Sequence, residues 1–295
     1  MTERPYLLFD VFTTERFAGN PLAIFPDGAG IDDATMQRIA RELNLSETVF
    51  LTRGDDPPAA LRIFTPGREV LFAGHPTVGT AIALVDVMCW LPAETTAFVL
   101  RERIGDVPIR IERDGGTTTA WLQTPPIAFG DPLDRSTAAR GIGVEAGALH
   151  DAFEPRVLTA GNPFLFVALR DRASVDRVAL DEAALRTIID FDGVNGVFVF
   201  TPVEGGTYSR MLAPMSGIAE DPATGSATGP LGAYLADAGA LPLRDGATFA
   251  SEQGVAMGRR SVIRGRLHVR DGALENVEIG GNAVLVGEGT MRVEP

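Results

Sequence analysis

The chain repeats itself, and a duplicated sequence can only fold as a duplicated structure. Ala18-Gly19-Asn20-Pro21 returns as Ala160-Gly161-Asn162-Pro163, each ahead of an apolar run. Leu61-Arg62-Ile63-Phe64-Thr65-Pro66 matches Ser209-Arg210-Met211-Leu212-Ala213-Pro214 in kind. His75-Pro76-Thr77-Val78-Gly79-Thr80-Ala81 matches Asp221-Pro222-Ala223-Thr224-Gly225-Ser226-Ala227, and Ile111-Glu112-Arg113-Asp114-Gly115 matches Val269-Arg270-Asp271-Gly272 less one residue. The matches keep their order, at separations from 142 positions (18 to 160) to 158 (111 to 269). A single four-residue match is chance; an ordered series points to two copies of one unit.

The 295 residues suffice for two domains. Hydrophobic residues at 45% and charged residues at 22% are globular values, which excludes a disordered or fibrous chain. The net charge of −13 and the lack of a basic cluster argue against nucleic acid as a partner. The single cysteine, Cys89, excludes an internal disulfide and any mechanism needing two thiols of one chain. With three histidines (His75, His150, His268) and no cysteine pair, a metal site is not expected. The longest apolar stretch, Thr80–Leu91, is interrupted by Asp86 and too short for a bilayer, and the N-terminus lacks a basic region before an apolar core. The expectation is a cytoplasmic protein without a membrane partner.

Short runs bounded by Gly, Pro or Asp predict strands at Tyr6–Phe12, Leu22–Phe25, Thr48–Thr52, Leu61–Thr65, Phe98–Arg101, Pro108–Arg113 and Thr118–Gln123. The second half predicts them at Val157–Leu169, Gly196–Pro202, Thr207–Ala213, Ala247–Ser251, Ser261–Arg270 and Leu274–Val286. Helices are predicted at Asp32–Leu43, Thr77–Trp90, Asp181–Ile189 and Thr224–Ala238. Thr124–Pro155, rich in Pro, Gly, Ala and Asp, reads as a crossover with one helix near Ala138–Leu149. The domains expected are residues 1–125 and 126–295, with about residues 280–295 able to return to the first. The fold class is α+β, two similar halves about a pseudo-twofold axis. Their matching loops would then face a common cleft, a usual place for a small-molecule site.

Two loops carry the chemistry. Phe72–Thr80 and Ile218–Gly229 each follow a strand and open a helix, with a proline near the first turn. Unpaired N–H groups at a helix start favour an anion, and two such starts suit a carboxylate and the carbanion or enolate formed from it. His75 is the one histidine in such a loop, and motif alignment sets it opposite Asp221. Glu47, in Asn44-Leu45-Ser46-Glu47-Thr48-Val49-Phe50, stands among apolar residues before a strand, where partial desolvation would raise its pKa toward neutrality. On spacing alone a solvated glutamate at a strand start is the simpler reading.

Taken in order, Asp10-Val11-Phe12, Phe17-Ala18-Gly19-Asn20-Pro21, Asn44 to Phe50, Phe64-Thr65-Pro66, Gly74-His75-Pro76-Thr77, Glu220 to Ala227 and Gln253-Gly254 before Met257-Gly258-Arg259 resemble the PhzF-like phenazine-biosynthesis family. The resemblance runs over essentially the whole chain. It implies the diaminopimelate-epimerase fold, in which each half is a mixed β-sheet wrapped around a central helix, and a cofactor-free homodimer. The founding activity is isomerisation of trans-2,3-dihydro-3-hydroxyanthranilate, a small carboxylate, by a glutamate that moves a proton between two carbons. The matching position here is Glu47, with His75 and Asp221 in support. Ser46, Gly74, Gly225 and Ser226 match positions that hold the substrate. The epimerase and racemase relatives use a cysteine in each loop, and these loops have none, so a thiol pair is not available. A racemase working through carboxylate and imidazole, and a metabolite-binding protein with an idle site, remain as alternatives. Arg260 replaces a proline common in the family.

Overall fold

In a computed structural model, which describes residues 2–190, 193–214 and 217–293, the chain forms two compact units. One runs to Gln123 and regains the chain from Gly280; the other is Thr124–Ile279.

The first unit contains β1 (Thr2–Val11), β2 (Asn20–Phe25), α1 (Asp33–Leu43), β3 (Glu47–Arg53), β4 (Ala59–Phe64), β5 (Glu69–Val70), α2 (Gly74–Ile82), β6 (Ala97–Glu102), β7 (Gly105–Asp114) and β8 (Thr117–Gln123). β1 is antiparallel to β2, β2 parallel to β3, and β3 antiparallel to β4. β4 is antiparallel to β5 and parallel to β6, and β6, β7 and β8 continue antiparallel.

The second unit contains β9 (Ala128–Pro132), α3 (Arg135–Gly141), β10 (Arg156–Thr159), β11 (Pro163–Ala168), α4 (Arg172–Asp176), α5 (Glu182–Leu185), β12 (Val197–Val203), β13 (Gly206–Ala213) and β14 (Ile218–Asp221). It continues with α6 (Gly225–Asp237), β15 (Thr248–Gln253), β16 (Ser261–Arg270) and β17 (Ala273–Gly281). Its pairings repeat those of the first unit: β10 antiparallel to β11, β11 parallel to β12, β12 antiparallel to β13, β13 antiparallel to β14 and parallel to β15, β15 antiparallel to β16. The last strand, β18 (Ala283–Val293), pairs with β1; the final two residues of the chain lie outside the described residues.

Each unit is built on a helix that is buried all round. Every residue of α2 is buried, and in α6 every residue from Gly225 to Leu235 is. A helix without a polar face has no place at a surface, and both segments keep their neighbours close with small residues. A Cβ at Gly79 would come within 2.7 Å of the Leu22 and Val11 side chains. α1 is instead amphipathic: Met36, Ile39 and Ala40 face Phe25, Phe50 and Phe64, and Asp32 caps it by accepting from the Thr35 N–H at 3.0 Å.

Several segments differ from expectation. The helix expected at Thr77–Trp90 starts at Gly74, because Pro76 suits a first turn, and ends at Ile82. One wide turn, Ala83–Val87, follows, and Cys89 lies beyond it, exposed and with a φ of 51°. Val157–Leu169 is two strands, β10 and β11, because Gly161 turns the chain at a φ of 92°. Leu274–Val286 is likewise divided between β17 and β18 at Asn282, whose amide donates to the Thr118 carbonyl at 2.7 Å. The crossover holds β9, α3 and one 3₁₀ turn at Ala146–Ala148 in place of one helix at Ala138–Leu149. Asp181–Ile189 shrinks to α5, and α4 is new, capped by Asp171 through the Ser174 N–H at 2.7 Å.

Candidate active site

Parallel pairing of β2 and β3 sets Leu22 beside Glu47, the first residue of β3. Ser46 and Glu47 are half-buried, so the glutamate is neither a core residue nor a fully solvated one. α2 then brings in Gly74 and His75 at its first two positions. His75 Nδ1 lies 3.4 Å from Glu47 Oε2. That exceeds a good N–H···O distance, so the contact is close but loose. Burial pushes the His75 pKa down to about 3, so the ring is neutral at physiological pH. With Nδ1 carrying the hydrogen toward Glu47, Nε2 is left as a buried acceptor, and it has no hydrogen-bond partner among the described residues.

In the second unit Asp221 ends β14 and is buried. Its Oδ2 accepts from the Thr224 hydroxyl at 2.6 Å. Gln253 closes the turn: its amide donates to the Asp221 carbonyl at 2.7 Å and to Thr224 Oγ1 at 3.0 Å, and its oxygen accepts from the Thr224 N–H at 3.2 Å. Gly225 and Ser226, both buried, open α6.

The motif match that sets His75 opposite Asp221 is corrected by the helix starts. Ala73 and Thr224 are the two N-caps, so the counterpart of His75 is Ser226. Asp221 lies ahead of its helix, at the end of β14, and its counterpart in β5 is Val70. Pro222 is accordingly outside α6, whereas Pro76 is inside α2.

Sequence reasoning passed over Glu102. It ends β6, is buried, and its Oε1 lies 2.5 Å from Thr77 Oγ1, one turn into α2. Burial raises its pKa to about 8, against the lowering effect of the Thr77 and Ala73 hydrogen bonds. Its signal is the alternation in β6, which puts Leu100 and Glu102 on the buried face with Arg101 on the other. Of the other histidines, His268 Nε2 lies 3.1 Å from Glu278 and His150 packs edge-on against Phe153. Arg260 pairs with Glu252 at 2.6 Å. Among the described residues no group of three or more His, Cys, Asp or Glu is placed to hold a metal ion, and no helix is long and apolar enough to cross a membrane.

The model of the phenazine biosynthesis-like proteins (PhzC-PhzF) matches residues 9–289, and the chain belongs to that family. An uncharacterised isomerase of Mesorhizobium japonicum is 39% identical over 99% of both chains. The trans-2,3-dihydro-3-hydroxyanthranilate isomerase of Pseudomonas aeruginosa is 36% identical over 96% of this chain and 98% of its own. The crystal structure of a PhzF-family protein from Bacillus anthracis superposes with a TM-score of 0.89 over 99% of this chain and all of that one, at 25% identity. The fold is thus of the diaminopimelate-epimerase-like class, and the protein is an isomerase of the PhzF type.

Proposed function

We propose that this isomerase shifts a proton between two carbons of a small carboxylate, with Glu47 as the group that carries it. The observation behind this reading is the contact of Glu47 with a buried, neutral imidazole, at 3.4 Å. A carboxylate at the half-buried start of β3 is accessible enough to meet a substrate and little enough hydrated to act as a base. Because His75 stays neutral it cannot quench the carboxylate as a salt-bridge partner. It orients Glu47 through Nδ1–H and leaves Nε2 to accept a hydrogen bond from the substrate. Asp221, held by Thr224, is assigned a supporting role by the resemblance. The N–H groups at Gly74, Gly225 and Ser226, with the Ser46 hydroxyl, are the candidates to hold the substrate carboxylate.

The relatives support trans-2,3-dihydro-3-hydroxyanthranilate as the first substrate to try. The resemblance supports a cofactor-free reaction and a cytoplasmic homodimer. The test is turnover in D₂O followed by proton NMR. The proposed reaction puts deuterium on the carbon that receives the proton, with a change of constitution. Deuterium appearing at the original carbon with inverted configuration and no change of constitution points to a racemase. No conversion of this or related dihydroaromatic acids removes the proposed substrate class.

A further inference from the structure

Glu102 has an exact positional match in the other unit, and the match is an amide. Glu102 is the last residue of β6 and Gln253 the last of β15. The N-caps Ala73 and Thr224, the threonines Thr77 and Thr228, and the pair Glu102 and Gln253 are all 151 positions apart (73 to 224, 77 to 228, 102 to 253). Both threonine hydroxyls donate back to the N-cap carbonyl, Thr77 to Ala73 at 2.7 Å and Thr228 to Thr224 at 3.0 Å. Gln253 meets its N-cap with one acceptor and one donor: Oε1 takes the Thr224 N–H, and Nε2 donates to Thr224 Oγ1. Glu102 likewise accepts from the Ala73 N–H and touches the hydroxyl of Thr77.

Hydrogen counting then sets the state of Glu102. Thr77 Oγ1 lies 2.7 Å from the Ala73 oxygen and 2.5 Å from Glu102 Oε1. Three oxygens share two short contacts, and each contact needs a hydrogen. Thr77 supplies one and the Ala73 carbonyl none. The second must sit on Glu102. Were the carboxyl ionised, one contact would set two lone pairs against each other. Glu102 Oε2, moreover, is buried without a hydrogen bond among the described residues, a costly place for a negative oxygen and a milder one for a carbonyl.

We propose that Glu102 is a positioning residue kept as a neutral carboxylic acid, which closes the N-cap of α2 as Gln253 closes that of α6 and thereby fixes Gly74 and His75. Its proton goes to Thr77 Oγ1 and the Thr77 hydrogen to the Ala73 carbonyl, so the helix start is locked without placing a charge beside a site meant for a carboxylate. The groups facing it, the Thr77 hydroxyl and the Ala73 N–H, are uncharged, and no charged side chain among the described residues acts on it. The positioning role rests on the reading of His75 as a site residue; the neutral state does not.

The test compares thermal unfolding of the full chain with that of Glu102→Gln across pH. In the unfolded chain the glutamate ionises near 4.5, while in the folded one it keeps its proton to about 8. Wild type therefore loses stability relative to the variant as pH rises through that interval, and the gap in midpoint levels off above it. A gap independent of pH, or a Glu102→Gln chain that does not fold, overturns the proposal. A second measurement needs no variant to fold: the infrared carbonyl band of a protonated carboxyl group is expected in wild type at pH 7 and lost above pH 8, and its absence at pH 7 overturns the neutral state. For the positioning role, Glu102→Gln keeps turnover within about threefold, while Glu102→Ala loses about 10–100-fold in kcat with KM little changed. Equal activity of the two variants overturns that role. If Glu47→Gln proves fully active, the site reading fails, and the pH-dependent gap still reports on Glu102.

Discussion

The two units share a scaffold and differ in their candidate reactive groups. Strand pairings, central helices, N-caps and a bidentate ion pair recur in both. Arg62 clasps Glu69 at 2.8 and 2.9 Å, and Arg210 clasps Glu220 at 3.1 and 2.8 Å. The candidate proton-moving groups do not recur. Phe50 pairs with Arg62 and Val199 with Arg210, so the counterpart of Glu47, three residues before Phe50, is Gly196. A Cβ at Gly196 would lie 2.8 Å from Met211 Sδ and 2.9 Å from the Leu212 carbonyl, leaving no room for any side chain. His75 answers to Ser226 and Asp221 to Val70. Duplication thus supplies two helix starts, and the candidate groups fall differently on them: His75 stands on the start of α2, whereas Asp221 lies ahead of α6, at the end of β14.

That contrast can be broken at several points. The largest expected effect is that of His75 on acid stability. Its folded pKa, about 3, is below the unfolded 6.5, so it stabilises the fold above pH 6.5, and that stability drains away as pH falls toward 3. The loss is several kcal/mol, about 1.4 for each pH unit crossed. His75→Asn should flatten this acid limb in urea unfolding, and Ser226→Ala, at the matching position, should leave it unchanged. Against substrate, His75→Asn should cost on the order of 10²-fold in kcat as support for Glu47 is lost.

Next come the ion pairs. Arg210 and Glu220 have side chains 11% and 13% exposed, against 31% and 12% for Arg62 and Glu69. Arg210 also donates to the carbonyls of Val175, Asp176 and Val178, so its loss frees α4 as well. Glu220→Ala should cost about 3 kcal/mol by stranding a buried guanidinium, and Glu69→Ala about 1 kcal/mol, since Arg62 keeps Asp33 at 2.6 Å. Equal costs in denaturant unfolding would show that burial is not what separates the two pairs. A smaller effect, about 1–2 kcal/mol, is expected for Gly196→Ala, whose methyl must displace the Leu212 carbonyl or Met211.

Much of this was legible in the sequence, and the gaps have physical causes. The ordered repeats, the helix over Asp32–Leu43 and the short runs bounded by Gly, Pro or Asp were readable, and the structure has duplicated strand pairings, α1 and most of the strands there. The register of His75 against Asp221 was misread because a shared proline and glycine spacing is matched in sequence, whereas the folded units match at their helix starts. Glu102 escaped notice because Arg101-Glu102-Arg103 looks like a solvated charge run; its burial depends on α2, which is distant in sequence. The turns at Gly161 and Asn282 were hidden inside apolar runs that continue on both sides.

The central claim, that one glutamate carries the proton, is tested most directly by steady-state kinetics of Glu47→Gln with an identified substrate. The amide keeps the shape and removes the titrating group. The expected result is a fall in kcat of about 10²–10⁴-fold with KM changed far less. Turnover at the wild-type rate would contradict the assignment of Glu47, whatever the fold.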